Sequence, residues 1–137
     1  MTAELQHKIY DLLKTYALPQ LRYDNDLMNV LSSVWDVYQR KATGEDYRYK
    51  MLGDEIEKHY VMNDDWTDDK LFVGILSIFD DETKFICFTE QITYMLRGND
   101  GFEKYVAELS AVLAEEKLEL HEEQDGYKVR HKGGVYE

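Results

Sequence analysis

The sequence predicts a mainly α-helical domain of about six packed helices that ends in a β-hairpin. Apolar residues recur three and four positions apart along most of the chain, which is the spacing of one helix face. Proline occurs once and glycines are scattered, as expected for helices joined by short turns. Towards the C-terminus the pattern changes to alternation around an Asp-Gly pair. We therefore expect a single domain over residues 1–137, with the hairpin at about 118–132.

The first two helices are predicted from their caps and their apolar stripes. The first spans about Ala3–Ala17, with Thr2 as its cap, and Leu18-Pro19 ends it because proline disfavours helical backbone in the residue before it. The second follows the capping group Asp24-Asn25-Asp26, and Gly44 closes it. Its apolar stripe consists of Leu27, Val30, Leu31, Val34, Val37 and Tyr38, widened by Trp35.

The next three helices carry the same periodicity. The third covers about Glu45–Tyr60, and the fourth runs from a Thr67 cap to Phe79. Asp80-Asp81 breaks the fourth helix and caps the fifth, which spans about Glu82–Leu96. Gly98 is a typical residue just past a helix end.

The last elements are a sixth helix and the hairpin. The helix starts at Asp100, which stands three residues before Glu103 as in a capping box. A hairpin turn at Asp125-Gly126 pairs Glu119 with Lys132 and Glu123 with Lys128, so acids face bases. The other face can pack on the helices through Leu118, Leu120, Tyr127 and Val129.

The chain is acidic, with 28 aspartates and glutamates against 16 lysines and arginines and a net charge of −12. Such a surface repels phosphates, so we expect no direct nucleic-acid binding. No apolar run approaches the ~20 residues of a membrane-spanning helix, and the N-terminus lacks the pattern of a signal peptide. The single cysteine, Cys87, fits a reducing compartment. We therefore expect a cytoplasmic protein that does not bind membranes.

The acidity and the tyrosine content each leave two interpretations open. An acidic surface is usually only solvated, but it can also imitate DNA and block a nucleic-acid enzyme. The eleven tyrosines are either interface residues or the rim of a core that is short of aliphatic side chains.

No complete catalytic site is recognisable in the sequence. Cys87 lies in an apolar stretch, which favours a buried structural thiol, and no serine is flanked by the glycines of a nucleophile elbow. A phosphate-binding glycine loop and metal-ligand spacings of histidine or cysteine are missing. The acidic run at 63–69 lacks the glycine and final glutamate of a calcium loop. We therefore expect no enzyme activity, no metal site and no cofactor.

The most specific local cluster surrounds His59. Asp54 and Glu55 precede it by five and four residues, so either carboxylate could approach the ring across one helical turn. Such a pair could serve acid–base chemistry, but it could equally orient the ring for structural reasons, which we favour. The loop that follows contains Trp66, which we expect to anchor it on the core. The predicted binding surface is centred on Asp54, His59, Asn63, Asp64 and Trp66.

Short motifs in a fixed order give a further indication. They are Asp46-Tyr47-Arg48-Tyr49, Gly53-Asp54-Glu55-Ile56, His59, Asn63-Asp64-Asp65-Trp66, Asp80-Asp81-Glu82 and Phe85-Ile86-Cys87-Phe88. This series resembles the N-terminal domain of bacterial AbiJ-type abortive-infection proteins, over roughly Leu18 to Leu120. The sequence departs from that family at Tyr94-Met95-Leu96-Arg97, where the family often has His-Pro and a basic residue, and it lacks the typical Trp-Gly opening.

The resemblance implies a role in antiphage defence, in domains that precede effectors such as nucleases and have no established catalysis of their own. We therefore predict a non-catalytic sensor or adaptor domain that binds a protein partner or a small signal and couples it to an effector. The alternative is an acidic inhibitor that blocks a nucleic-acid-binding enzyme. A third hypothesis, a hydrolase or nuclease, requires Asp54, His59 and Asp64 to converge in one pocket with a divalent metal.

Overall fold

A computed structural model of the chain describes residues 1–42 and 51–132. Within those ranges it has six helices followed by an antiparallel two-stranded hairpin, so the predicted mainly α fold is confirmed. Helix α1 consists of Ala3–Leu12, the π-helical turn Leu13–Ala17 and Leu18–Leu21, and α2 spans Asn25–Trp35. Helix α3 consists of Leu52–Ile56 and the π-helical turn Glu57–Val61, and α4 (Asp69–Ile75) is π-helical throughout. The last two helices are α5 (Glu82–Leu96) and α6 (Phe102–Ala114). The strands are β1 (Leu118–Glu123) and β2 (Gly126–His131).

One hydrophobic core holds the helices and the hairpin together. The Phe88 ring lies 5.4 Å from Phe72 and 5.2 Å from Trp35 between centroids, which joins α4, α2 and α5. Helix α2 packs on α5 and α1 packs on α6, while β2 lies on α5 and β1 on α6. A two-stranded hairpin is marginal in water, so this contact with both helices is what stabilises it. In the described ranges, no helix combines the length and the apolar character that crossing a membrane requires.

The predicted starts of three helices are confirmed by side-chain caps. The side chains of Thr2, Asp24 and Asp81 each accept a hydrogen bond, 2.9–3.1 Å long, from a backbone N–H in the first turn. These bonds satisfy donors that have no partner within the helix. The span Glu82–Leu96 agrees with the prediction at both ends, and Gly98 follows it with φ 85°.

The prediction that Leu18-Pro19 ends the first helix is wrong. Helix α1 passes through its π-helical turn, where the Leu18 N–H donates to the Leu13 carbonyl, and continues to Leu21. Proline lies in the first turn of the last segment, the part of a helical segment where proline is tolerated.

Two helices end earlier than predicted. Helix α2 ends before Gly44 is reached, and α4 ends before Phe79. In each case a residue other than glycine follows in left-handed backbone conformation, Asp36 with φ 53° and Ser77 with φ 52°. This conformation terminates helices but normally selects glycine, so the sequence carried no stop signal at these positions. The predicted Thr67 cap of α4 is confirmed, because the Thr67 hydroxyl accepts a hydrogen bond of 3.1 Å from the backbone N–H of Lys70.

Two helices begin later than predicted. Helix α3 does not start at Glu45 but after Met51, which has extended backbone and forms a β-bridge with Lys41. Residues 43–50 lie outside the described ranges. Helix α6 begins after Gly101, which has φ 80° and no side chain to cap it, so the predicted capping box Asp100–Glu103 is wrong.

The hairpin register also differs from the prediction. Glu123 pairs with Gly126, and Glu119 faces Arg130 instead of Lys132. Relative to the predicted register, the pairing partner of each β1 residue is shifted by two residues along β2. Because side chains alternate between the two faces of a strand, a shift by two leaves every side chain on its predicted face. The predicted apolar face is confirmed and packs on the core through Leu118, Leu120, Tyr127 and Val129.

Candidate functional site

His59 lies in the π-helical turn of α3, and both nitrogens of its ring are engaged. Nδ1 lies 2.7 Å from Oδ2 of Asp65, and Nε2 lies 3.3 Å from Oε1 of Glu55. Trp66 stacks on the face of the ring, with 4.9 Å between centroids and 17° between planes. The backbone N–H of Trp66 also donates a hydrogen bond to the His59 carbonyl at 3.1 Å. The imidazole is therefore fixed in position and orientation.

The carboxylates at His59 occupy different surroundings. The Glu55 side chain is 3% exposed, whereas that of Asp65 is 58% exposed. A buried carboxylate is costly unless it is paired, so the 3.3 Å contact with His59 offsets part of the cost of burying Glu55. The hydrogen bond to His59 lowers the pKa of Asp65 below its usual range. Of Asp54 and Glu55, the two acids that the sequence placed near His59, only Glu55 contacts the imidazole ring in the structure. Residues four positions apart lie on the same face of a helix, which explains this contact.

Asp54 belongs to a neighbouring surface around Tyr38. The Tyr38 hydroxyl donates to Glu57 at 2.6 Å, and its ring lies so close to Gly53 that an added Cβ would stand 2.4 Å from it. Burial, the hydrogen bond to Glu57 and the charges of Glu57 and Asp54 raise the pKa of Tyr38. Asp54 itself is exposed. Glycine at position 53 is therefore needed for the close approach of α3 to Tyr38.

Asn63 and Asp64 form the outer side of the loop that follows α3. The Asn63 amide donates to a main-chain carbonyl of the π-helical turn at 2.7 Å. Asp64 accepts the Tyr23 hydroxyl at 3.2 Å and lies 3.7 Å from the Arg22 guanidinium. Arg22 also donates to the Tyr60 carbonyl at 2.7 Å and lies over the Tyr60 ring, 4.2 Å from its centroid. These contacts tie the loop to the end of α1.

Two side chains of this region, Tyr23 and Met62, were not predicted from the sequence. They are the most exposed large hydrophobic side chains in the described ranges, with 61% and 76% of their surface accessible. Both follow the end of a helix, where apolar periodicity carries no information about the outward face. Trp66, by contrast, is 3% exposed, which confirms its predicted role as the anchor of the loop.

Many of the acids and tyrosines are paired with each other. In the described ranges, five tyrosine hydroxyls donate to carboxylates; the pairs are Tyr10–Asp69, Tyr16–Glu108, Tyr23–Asp64, Tyr38–Glu57 and Tyr60–Asp68. Burial, followed by these hydrogen bonds, raises the pKa of Tyr10 and Tyr60. For four of these tyrosines the structure favours the interpretation as the rim of the core, whereas Tyr23 is 61% exposed. Part of the negative charge therefore has an internal, structural role.

The family of the chain follows from its match to a family model. The model described as AbiJ N-terminal domain 3 matches residues 1–130 of the 137-residue chain. The chain belongs to this AbiJ N-terminal domain family. The match extends beyond the Leu18–Leu120 resemblance and includes all six helices and most of the hairpin of the described ranges. No curated protein and no solved structure gives a significant match. The family name associates the domain with abortive infection.

In this AbiJ N-terminal domain, the motifs from Gly53 to Trp66 form one structural unit around His59. The hydrolase hypothesis requires Asp54, His59 and Asp64 to converge in one pocket. The structure differs from this arrangement, because His59 contacts Glu55 and Asp65, and not Asp64. Within residues 1–42 and 51–132, no three His, Cys, Asp or Glu side chains are placed to hold a metal ion. The motif Asp46-Tyr47-Arg48-Tyr49 lies outside the described residues.

Proposed function

We propose that this domain is a non-catalytic sensor or adaptor of a prokaryotic abortive-infection system, which acts in the cytoplasm by binding a protein partner and coupling it to an effector. Family membership over residues 1–130 supports the association with defence. The observation that carries the binding role is the exposure of Tyr23 and Met62 beside Asp64. Together with Asn63, these side chains are named the outer loop surface below.

The outer loop surface combines exposed apolar groups with a fixed backbone. Tyr23 and Met62 leave much of their side chains accessible, and tyrosine and methionine are enriched at the centres of interfaces. The buried Trp66 and the hydrogen bond from Asn63 hold the loop in place. Binding there orders few groups that were previously free, which favours affinity.

Irregular helical turns lie on both sides of this surface. The π-helical turn Glu57–Val61 precedes it, and the π-helical helix Asp69–Ile75 follows it. The first turn closes with a hydrogen bond from the Met62 N–H to the Glu57 carbonyl at 2.8 Å. Because π-helical turns are rare and occur frequently at functional sites, their position supports a binding role for the loop between them.

The charge of the surface favours a partner segment that carries basic residues beside an apolar one. The Asp64 side chain is 79% exposed, Asp54 is exposed, and the whole chain has a net charge of −12. Electrostatic attraction mainly raises the rate of association, whereas the apolar contacts set the lifetime of the complex. We therefore expect a complex that forms more slowly at high salt but still persists.

The test is affinity capture from phage-infected and uninfected bacterial lysates at low and high salt, with four baits. These are the wild type, Met62→Ser, Tyr23→Ser and the matched control Val73→Ser, which truncates a 40% exposed side chain on α4. Surface changes of this kind alter stability by about 0.5 kcal/mol or less, so all baits stay folded. We expect an effector or phage protein that the wild type and V73S retain at both salt concentrations and that M62S and Y23S lose.

Equal retention by all four baits would contradict the outer loop surface as the binding site. Capture of nucleic-acid enzymes that is lost at high salt would support the acidic inhibitor instead, because screening weakens a purely electrostatic complex steeply.

A further inference from the structure

A cleft of about 340 Å³ lies between α5 and the turn of the hairpin. It shares no residue with the outer loop surface or the His59 cluster. Its apolar and aromatic walls are formed by Val30, Cys87, Tyr94, Met95 and Tyr127. Cys87 is partly exposed here rather than fully buried as predicted, because it faces this cleft. The volume is at the lower end of the range for small-molecule sites, roughly 300–1,000 Å³.

A largely buried carboxylate, Glu90, lines the cleft. Its side chain is 13% exposed, and Oε2 accepts the Val129 N–H at 2.8 Å. Oε1 lies 4.0 Å from Nζ of Lys128, which is longer than a hydrogen bond. An ionised carboxylate accepts about four hydrogen bonds, so Glu90 keeps capacity for a donor inside the cleft.

Three carboxylates and one ammonium group line the cleft, and the Arg97 guanidinium lies over the Tyr94 ring, 4.6 Å from its centroid. Glu123 forms an ion pair with Arg130, and Asp125 adds a carboxylate at the hairpin turn. The ion pair of Glu90 with Lys128 is long, at 4.0 Å, and the Lys128 side chain is 57% exposed, so solvent screens this pair. A carboxylate between apolar walls attracts a cationic donor more strongly than one in water, because the local dielectric is lower.

We propose that this cleft binds a small organic cation with a flat apolar body and a protonated amine, amidine or guanidine group. The cation pairs with Glu90, and the flat body packs between the Tyr94, Met95 and Tyr127 side chains. Charge complementarity to Glu90 selects the cation, and the aromatic walls select a ring over an aliphatic chain. This site stands apart from the proposed partner surface, so either can fail without the other.

The test is a titration of the whole chain, labelled with ¹⁵N, using benzamidine as the probe and benzamide as its uncharged isostere. Chemical shifts are followed at Val129, whose N–H donates to Glu90, and at Tyr127. We expect saturable shifts at both amides with benzamidine and affinity weaker by about tenfold or more with benzamide, since a charge-assisted hydrogen bond is lost. Equal affinity for the two compounds, or no saturable shift at these amides, would overturn the proposal.

Two variants locate the cation and the ring. Glu90→Gln retains an oxygen for the Val129 N–H, so the fold is kept, and we expect benzamidine affinity to fall by about tenfold or more. Tyr94→Ala removes a wall that is 39% exposed and should weaken benzamidine severalfold while leaving Glu90 in place. Glu4→Gln, at a side chain 80% exposed outside the cleft, removes the same charge and is the control. Wild-type affinity in E90Q and Y94A, or an equal loss in E4Q, would show that benzamidine binds only the general acidic surface and would refute the site.

Discussion

The His59 cluster and the hairpin cleft each place a glutamate among aromatic side chains, but they use it differently. Glu55 is 3% exposed and lies 3.3 Å from an imidazole one turn along the same helix, where Trp66 locks the ring. Glu90 is 13% exposed, and its counterpart Lys128, 4.0 Å away, has a side chain that is 57% exposed. A buried carboxylate whose counterpart is internal is part of the scaffold. One whose counterpart is in solvent remains available to a ligand.

Trp66→Ala should have the largest effect on the scaffold side of this comparison. It removes a 3% exposed indole and the support of the His59 ring, so we expect a loss of about 3–5 kcal/mol in the free energy of unfolding. Urea denaturation followed by circular dichroism measures it. Met62→Ala, four residues earlier at a 76% exposed position, should change stability by about 0.5 kcal/mol or less. Similar effects of the two changes would contradict the anchor role of Trp66.

Glu55→Gln should come next, with a loss of about 1–3 kcal/mol, because it alters a buried polar contact with His59. The adjacent Asp54→Asn, at an exposed side chain, is the matched control and should cost about 0.5 kcal/mol or less. Glu90→Gln should also cost less than E55Q, since its bond to the Val129 N–H survives. If D54N and E55Q destabilised equally in urea denaturation, Glu55 would not be the specific partner of His59.

Asp65 makes the cluster sensitive to acid. Its pKa in the folded protein is lowered from the usual value near 3.8, chiefly by the hydrogen bond to His59. The stability that the ionised Asp65 adds to the folded protein is therefore fully present above the usual pKa. It is lost as the pH falls through the lower pKa of the folded state. We expect Asp65→Asn to be less stable than the wild type at neutral pH and the difference to shrink below about pH 4. Thermal unfolding across that range measures it, and a difference independent of pH would rule out this linkage.

The smallest expected effect lies on the surface of the hairpin beside the cleft. Arg130→Ala removes the ion pair with Glu123 and should cost less than about 1 kcal/mol, because both side chains are partly exposed. Lys132→Ala should leave stability unchanged within error, since Glu119 faces Arg130. Chemical denaturation of both variants compares the two registers. A larger loss for K132A would instead indicate the register predicted from the Asp-Gly pair.

The ends of a helix could be predicted where the sequence has a capping residue or a glycine stop at the boundary. The span of α5 was predicted at both ends because an aspartate cap and a glycine stop lie at its boundaries. Helix α2 was predicted too long because Asp36, and not a glycine, adopts the left-handed conformation that ends it. Val37, the next residue, is fully buried outside the helix.

The candidate site was predictable to a similar extent. The spacing placed Asp54 and Glu55 within one helical turn of His59 without choosing between them, and Trp66 was expected to anchor its loop. The exposure of Tyr23 and Met62 could not be predicted, because it depends on which sides of two separate loops remain uncovered after folding. The cleft at Glu90 was invisible for the same reason, since its walls come from α2, α5 and the hairpin.

The sequence by itself determined the helical class, four N-terminal caps and the apolar face of the hairpin. These features depend on local spacing and on the hydrogen bonds of nearby side chains, which the order of residues specifies directly. Only the tertiary structure decided where α2 and α4 end, which hairpin register forms, and which carboxylates are paired internally. These features depend on contacts between segments distant in the chain, whose packing overrides local preference.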